Sequence, residues 1–404
     1  MRFLLDTGHR DFAASLNAML TSAGTPSVIR DWSRGDHDGG RALWRRIAEA
    51  GVFALAVPET YEGLGPRPVE LTVAFLELGR HAVPGPLVET VTAATLLTSL
   101  DDTGLAKRML PSLAAGESTA TLTTGWYALD ADMADLRLTL SARPENPAPP
   151  AENPASPSKN PAPPAFEERG SGGGAPGSGV EGAAAPGSGV EGAAAPGSGV
   201  EGAAAPGDGT GRGGGGEKAP TRTPTELRLA PPPDHPPRPS LDPARRLFKT
   251  PHAGELLATD PPLRPALLMA RLTTAAQALG VGLALLDKTV SYVKQRTQFG
   301  VPIGSFQAVK HQLADVKIAL EFARPLLFGA ALTMTEEDVA AAKVTACEAA
   351  YKSARTALQL HGAIGYTAEY DLSLWLTRAR ALRTAWGTPD ECRETVLSGG
   401  GRRW

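Results

Sequence analysis

The chain has 404 residues, with 40 Lys and Arg against 43 Asp and Glu, for a net charge of −3. That balance excludes the strongly basic surface a nucleic-acid binder needs. Its two cysteines, Cys347 and Cys392, are too few for a disulfide framework and fit a reducing cytoplasm.

Residues 1–117 read as helical. The first apolar run stops at Asp6 after three residues, which is not a secretory signal. Leu43, Ile47, Ala50 and Phe53 fall at roughly helical spacing, and a second periodic run extends from Val69 to Gly79. Between them, Val57-Pro-Glu59 and Gly63-Leu-Gly65 break the helix, and Pro84-Gly-Pro86 marks another loop.

Residues 118–143 change period. Ser118–Thr124 and Leu136–Leu140 alternate apolar with polar residues, as does Thr225–Ala230, so strands are expected on both sides of what lies between. That intervening stretch, 144–220, holds 20 of the 45 Gly and 14 of the 36 Pro, and no Leu, Ile, Met, Trp or Tyr. It cannot bury enough apolar surface to offset chain entropy. It reads as a disordered insert in a loop of a small β unit, where added length costs little closure entropy. Repeats of seven and ten residues inside it are too short for a solenoid unit and read as low complexity. Gly172–Gly177 matches a dinucleotide fingerprint in letters only, with no strand before it and no helix after it.

From about Pro262 the chain is helical again. Ala266–Arg296, Phe306–Thr333 and Glu337–Leu360 carry apolar stripes, and a helix bundle follows. Leu272–Leu286, 15 residues without a charge, is short of the roughly 20 apolar residues a membrane span needs, so no membrane is expected. The seven His residues form no metal-binding pattern, and neither a nucleophile elbow nor a phosphate loop is present. Gly280-Val-Gly282 lies inside a helical pattern and reads as close helix packing.

Two segments place polar residues and glycines in otherwise apolar helices. One is Arg296-Thr-Gln-Phe-Gly-Val-Pro-Ile303 with Phe306-Gln307 and His311–Asp315; the other is Gln359-Leu-His-Gly-Ala-Ile-Gly-Tyr366. An Arg can bind a diphosphate, an aromatic ring can face a purine, and a Gly-rich turn lets backbone approach a ligand. An ordinary helix–turn–helix with a capping Gly is the other reading of the same residues.

These segments resemble the C-terminal half of acyl-CoA dehydrogenases. Trp44, Val57-Pro-Glu59, Gly63-Leu-Gly65, Glu77-Leu-Gly-Arg80 and Pro84-Gly-Pro86 resemble the N-terminal part, and Asp242-Pro-Ala-Arg-Arg-Leu247 is similar to a segment of shorter actinobacterial-type members. The likeness covers about 1–117 and 225–395. It implies a mainly α protein with a small middle β-domain: an N-terminal helical domain at 1–117, a reduced β-domain at 118–255 interrupted by the insert, and a C-terminal four-helix bundle at 256–404. It also implies FAD at contacts between subunits of a homo- or hetero-oligomer, an acyl-CoA substrate, and an electron-transfer flavoprotein as partner. Arg296 would meet the FAD diphosphate of a neighbouring subunit, Phe299 would pack near its adenine, and Gln307 would support that end. Gln359, Gly362 and Gly365 would contact the same nucleotide.

The family's reaction is α,β-dehydrogenation of an acyl-CoA thioester, in which a carboxylate removes a weakly acidic α-proton. The usual base position falls on Trp386, before Gly387-Thr388, and the alternate position on Ala270, beside Arg271. Neither residue can accept a proton. Asp390 is a candidate displaced base; Glu391, Glu369 and Asp371 read as solvated charges. The family's flavin-facing motif of the middle domain has no counterpart near Thr123-Thr-Gly125, and without the insert that domain retains 61 residues. Three readings follow: the base-lacking subunit of a hetero-oligomer, a self-sufficient dehydrogenase with a displaced base, or a flavin-free scaffold paralogue.

Overall fold

A computed structural model describes residues 5–142, 225–251 and 253–399. Six helices form the N-terminal domain: α1 (Thr7–Ser22), α2 (Thr25–Ser33), α3 (Asp38–Glu49), α4 (Pro68–Arg80), α5 (Leu87–Thr98) and α6 (Thr103–Ala114). Asp6 caps α1 by accepting from the His9 amide at 2.8 Å, and Asp102 caps α6 in the same way. The interior is apolar and closely packed. Trp44 stacks on Phe53 with ring centroids 4.3 Å apart, and its indole N–H donates to the Gly116 carbonyl.

Six strands follow: β1 (Ala120–Thr123), β2 (Tyr127–Leu129), β3 (Leu136–Ala142), β4 (Thr225–Leu229), β5 (Leu247–Lys249) and β6 (Glu255–Thr259). They form a four-stranded sheet in the order β1-β3-β4-β6 and a ribbon of β2 with β5. The expected strands at 118–124, 136–140 and 225–230 are present. The short strands β2, β5 and β6 had no alternation long enough to mark them. β3 and β4 pair antiparallel with Ala142 opposite Thr225, so the strands flanking the insert are direct neighbours. The insert itself, including its repeats and Gly172–Gly177, lies outside the described residues.

The C-terminal part begins with α7 (Leu263–Gln295). A hairpin of β7 (Thr297–Gln298) and β8 (Val301–Pro302) then leads into α8 (Gln307–Thr333), α9 (Glu336–His361), α10 (Leu372–Thr384) and α11 (Pro389–Ser398). The three long helices stand where periodicity placed them, within about three residues at each end. By length and composition the 33-residue helix α7 could span a membrane, but 89% of its apolar window is buried inside the protein. It is the central helix, packed on α4, α5, α8, α9 and α10. An apolar helix surrounded by other helices has the composition of a membrane span for the same reason, the absence of water on any side.

The glycines of α7 set its depth of packing. A Cβ at Gly280 would fall on the Leu76 carbonyl oxygen of α4, and a Cβ at Gly79 would fall on the Gln277 carbonyl oxygen of α7. The two backbones therefore touch at reciprocal glycines. Gly280→Ala should gain helix propensity of about 1 kcal/mol yet force the helices apart. The net expected loss is about 1–3 kcal/mol, read by chemical denaturation. Unchanged stability would show that this crossing yields easily.

Candidate functional site

One cavity of about 870 Å³ opens where the three parts meet. The end of β1 supplies Thr123, Thr124, Gly125 and Trp126; α5 supplies Glu89; the β5 approach supplies Arg245; α7 supplies Arg271; and Trp386-Gly387-Thr388 and Glu391 close the far wall. Gly125 has open space around it, since a Cβ there meets nothing within 4 Å.

The loop after α10 is held at several points. Lys343 of α9 is 1% exposed, and its ammonium donates to the carbonyls of Leu382, Arg383 and Gly387 at 3.2–3.3 Å. A buried cation is well placed there because the last carbonyls of a helix are unpaired and carry the negative end of its dipole. Arg271 Nε donates to the Trp386 carbonyl at 3.2 Å, and Trp386 Nε1 donates to Glu89 Oε1 at 3.2 Å. Trp386 itself sits at φ 58°, a left-handed conformation uncommon for a bulky residue and maintained by these anchors. Thr388 and Glu391 then form a reciprocal capping box that starts α11. Glu391 thus lines the cavity but is committed to a cap, and its hydrogen bonds to Thr388 hold its carboxyl below the usual range.

A strap over residues 242–248 joins the domains. Asp242 and Arg378 form a buried ion pair, and Arg378 also donates to the Val83 carbonyl at 2.9 Å. Arg245 Nη2 lies 3.7 Å from Glu89 Oε1, and Arg246 pairs with Asp132 at 2.5 Å. Beneath the strap, Asp130 is fully buried; it accepts from Trp32 Nε1 at 3.1 Å, and its second oxygen has no partner. Burial pushes its carboxyl up to about 7, against the smaller opposing effects of the Trp32 hydrogen bond and Arg245. A carboxyl raised in the folded state stabilises the fold below its unfolded value of 3.8, and that contribution is lost as pH rises toward about 7. Thermal stability should therefore decline between pH 5 and 7.5 by up to about 1.4 kcal/mol per pH unit from this group. Asp130→Asn should flatten that slope in melting curves; an unchanged slope would assign it elsewhere.

The residues expected to bind a nucleotide lie elsewhere. Arg296 follows the last turn of α7, 25 positions from Arg271, or about 37 Å along the helix axis. It is exposed, and no ion pair to it is present among the described residues. Phe299 sits at the hairpin tip at φ 53°, is 91% exposed, and stands edge-on to Phe306 with ring centroids 6.3 Å apart. Gln307, also exposed, begins α8. Gln359, Gly362 and Gly365 lie at the end of α9. Tyr292 of α7 stacks on His361 there at 4.1 Å, so both segments meet at one end of the bundle. Gln359 lines a second cavity of about 640 Å³ with Lys352, Arg355 and Tyr366. Gly362 adopts φ 63°, ψ −138°, a region open only to glycine, and a Cβ there would meet nothing within 4 Å. His311 also lies near this end, in the first turns of α8.

Trp386 lines the cavity, whereas Ala270 is fully buried in the core. Asp390 does not line the cavity; it is 94% exposed and paired with Arg393 at 2.8 Å. Asp371 pairs with Arg30 at 2.7 Å, and the Glu369 backbone carbonyl accepts from Arg30. Sequence reasoning missed Glu89, Arg245 and Lys343. The available signal was the charge itself: Glu89 is the one charge in the apolar helix α5, and Lys343 interrupts an Ala-rich run in α9. Among the described residues, no group of three or more His, Cys, Asp or Glu could hold a metal.

A helical domain, a small sheet and a helix bundle around one cavity define the three-domain class of flavin-linked dehydrogenases. Family models for the acyl-CoA dehydrogenase N-terminal and C-terminal domains match residues 7–117 and 263–399, together more than half of the chain. The chain belongs to the acyl-CoA dehydrogenase family, a family of FAD-dependent oxidoreductases. It is 26% identical to acyl-CoA dehydrogenase IpdE2 of Mycolicibacterium smegmatis over 93% of both chains. Its fold is similar to butyryl-CoA dehydrogenase of Megasphaera elsdenii, with TM-score 0.70, 18% identity and 99% of each chain covered. The ChsE4-ChsE5 complex of Mycobacterium tuberculosis is similar too, with TM-score 0.70, 18% identity and 100% of each chain covered.

Proposed function

We propose that this chain is an FAD-binding acyl-CoA dehydrogenase subunit that works in a hetero-oligomer and relies on a partner for the catalytic base. The observation that carries this reading is Trp386. It occupies the cavity wall where the family resemblance puts the base, and its indole, which donates to Glu89, cannot take an α-proton. FAD fits the residues that remain. Arg296 presents a free guanidinium suited to a diphosphate, Phe299 offers an exposed ring for a purine, and Gly362 leaves backbone open to close approach. Gln307, Gln359 and Gly365 complete that end.

These groups stand about 37 Å along α7 from the Arg271 side of the cavity, so in this reading each flavin is shared between subunits. Bound FAD supplies the two-electron acceptor. The chain's own residues bind and orient the nucleotide, exclude water from the cavity and hold its far wall rigid. The partner chain provides the carboxylate that takes the α-proton. Support for a two-protein assembly comes from the similarity to the ChsE4-ChsE5 complex. The exposed stripe Ile318, Phe322 and Leu326 on α8, at i, i+4 and i+8, suits burial against another subunit. An electron-transfer flavoprotein as acceptor and a cytoplasmic site belong to the same proposal.

The test is to purify the chain alone and co-expressed with a dehydrogenase paralogue from the same source, then record flavin absorbance and its bleaching by acyl-CoA. Flavin and turnover are expected only together with the paralogue. A yellow, active preparation of the chain alone would overturn the shared site in favour of a displaced base. Absence of flavin from both preparations would leave the scaffold reading.

A further inference from the structure

The second cavity, of about 640 Å³ beside Gln359, holds positive charge that the chain does not balance. Its charged lining is Glu348, Lys352, Arg355 and Arg383. Glu348 is spent on its neighbours: Arg383 Nε donates to its Oε1 at 2.9 Å, and Arg393 Nη2 lies 3.8 Å from the same oxygen. Arg383 is held by that pair and by the ring of Tyr351, whose centroid lies 4.8 Å from its guanidinium carbon. Lys352 Nζ donates to the Asp315 backbone carbonyl at 3.2 Å, which leaves its charge uncancelled. Among the described residues, neither Lys352 nor Arg355 forms an ion pair with Asp315 or any other carboxylate.

Lys352 and Arg355 stand three residues apart on α9, and Gln359 four further on, so the three share one face of the helix. That face runs into the turn at Gly362, whose backbone is open to approach. Two cations at this spacing repel each other, and no carboxylate of the chain repays the cost. An anion lying along the face does. Side chains rooted about 5–6 Å apart suit two linked phosphates better than one. Gln359 offers both a donor and an acceptor to a sugar hydroxyl, and Tyr366, which lines the same cavity and is 76% exposed, offers a ring to a base.

We propose that Lys352 and Arg355 bind the diphosphate of a nucleotide laid along this face of α9. Neither residue lies in the two segments that carry the family likeness to the nucleotide site. Two ligands share this chemistry: FAD held at this end of the bundle, or a free nucleoside diphosphate. The first source rests on the dehydrogenase reading and deepens it; the second is independent of it. Both side chains are exposed, so the contact is open to screening, and binding should weaken as salt rises toward about 0.15 M.

The test compares the unmodified protein with Lys352→Gln/Arg355→Gln and with a charge-matched control, Arg45→Gln/Lys107→Gln, whose residues are exposed in the N-terminal domain. In one arm, ADP and inorganic pyrophosphate are titrated onto the full chain by calorimetry at low salt. In the other, the assembly with its paralogue is scored for flavin retained after gel filtration. Loss of Lys352 and Arg355 should weaken at least one of these by about tenfold or more, and the control should change neither. An effect on ADP alone identifies a free nucleotide as the ligand; an effect on flavin, with or without ADP, identifies FAD. No loss in either arm, no binding in either arm, or an equal loss in the control would overturn the proposal. Flavin stripped by Arg296→Ala but retained in Lys352→Gln/Arg355→Gln, with ADP unaffected, would sink this proposal and leave the dehydrogenase reading standing. Absence of flavin from every preparation, with ADP binding that requires Lys352 and Arg355, would do the reverse.

Discussion

Arg296→Ala should strip flavin from the assembled protein while leaving its fold intact. Arg296 is exposed at the end of α7, and among the described residues no ion pair to its side chain is present; its backbone hydrogen bonds to Tyr292 and Ile303 survive truncation. A guanidinium on a diphosphate makes paired, charge-assisted hydrogen bonds worth about 1.5–3 kcal/mol each. Flavin affinity should fall by about 10- to 100-fold or more, read as the ratio of flavin to protein absorbance after gel filtration. Arg296→Lys should fall between, because an ammonium retains the charge but not the planar fork. Full flavin content in Arg296→Ala would defeat the assignment of this end of the bundle.

Asp242→Ala should cost more stability than Gly280→Ala or Asp130→Asn. Asp242 and Arg378 are both nearly inaccessible, and the carboxylate also accepts from the Ala244 amide at 3.0 Å. Removing one member of a buried pair leaves the other charge without compensation, at a cost of about 3–5 kcal/mol. A fall in melting temperature of roughly 5–15 °C is expected. Replacing both residues with apolar ones of similar volume, as in Asp242→Leu with Arg378→Met, should recover much of that loss. A fall smaller than about 2 °C in the single variant would show that water reaches the pair.

The two variants probe features with different histories in the sequence. Arg296, Phe299 and Gln307 were legible because they interrupt a helical pattern within a dozen residues. The Asp242-Pro-Ala-Arg-Arg-Leu247 segment could be recognised as a likeness, yet nothing local showed that each of its charges has a separate partner. Asp242 meets Arg378, Arg245 meets Glu89, and Arg246 meets Asp132. Gly280 was read correctly as a packing glycine because its neighbours are apolar at helical spacing. Its partner Gly79 on α4 could not be inferred, since periodicity identifies a buried face without saying what covers it.

The amino-acid sequence alone determined the helical halves, the strands on either side of the insert, and the absence of a proton acceptor at positions 386 and 270. These are local properties, set by side-chain period and residue type. Only the tertiary structure decided that Trp386 rests on Glu89, 297 positions away, and that Lys343 and Arg271 hold the loop carrying it. It also decided that the nucleotide-type residues and the cavity lie at opposite ends of α7. Such pairings arise from how apolar faces pack, and a buried charge takes whichever partner that packing brings within reach.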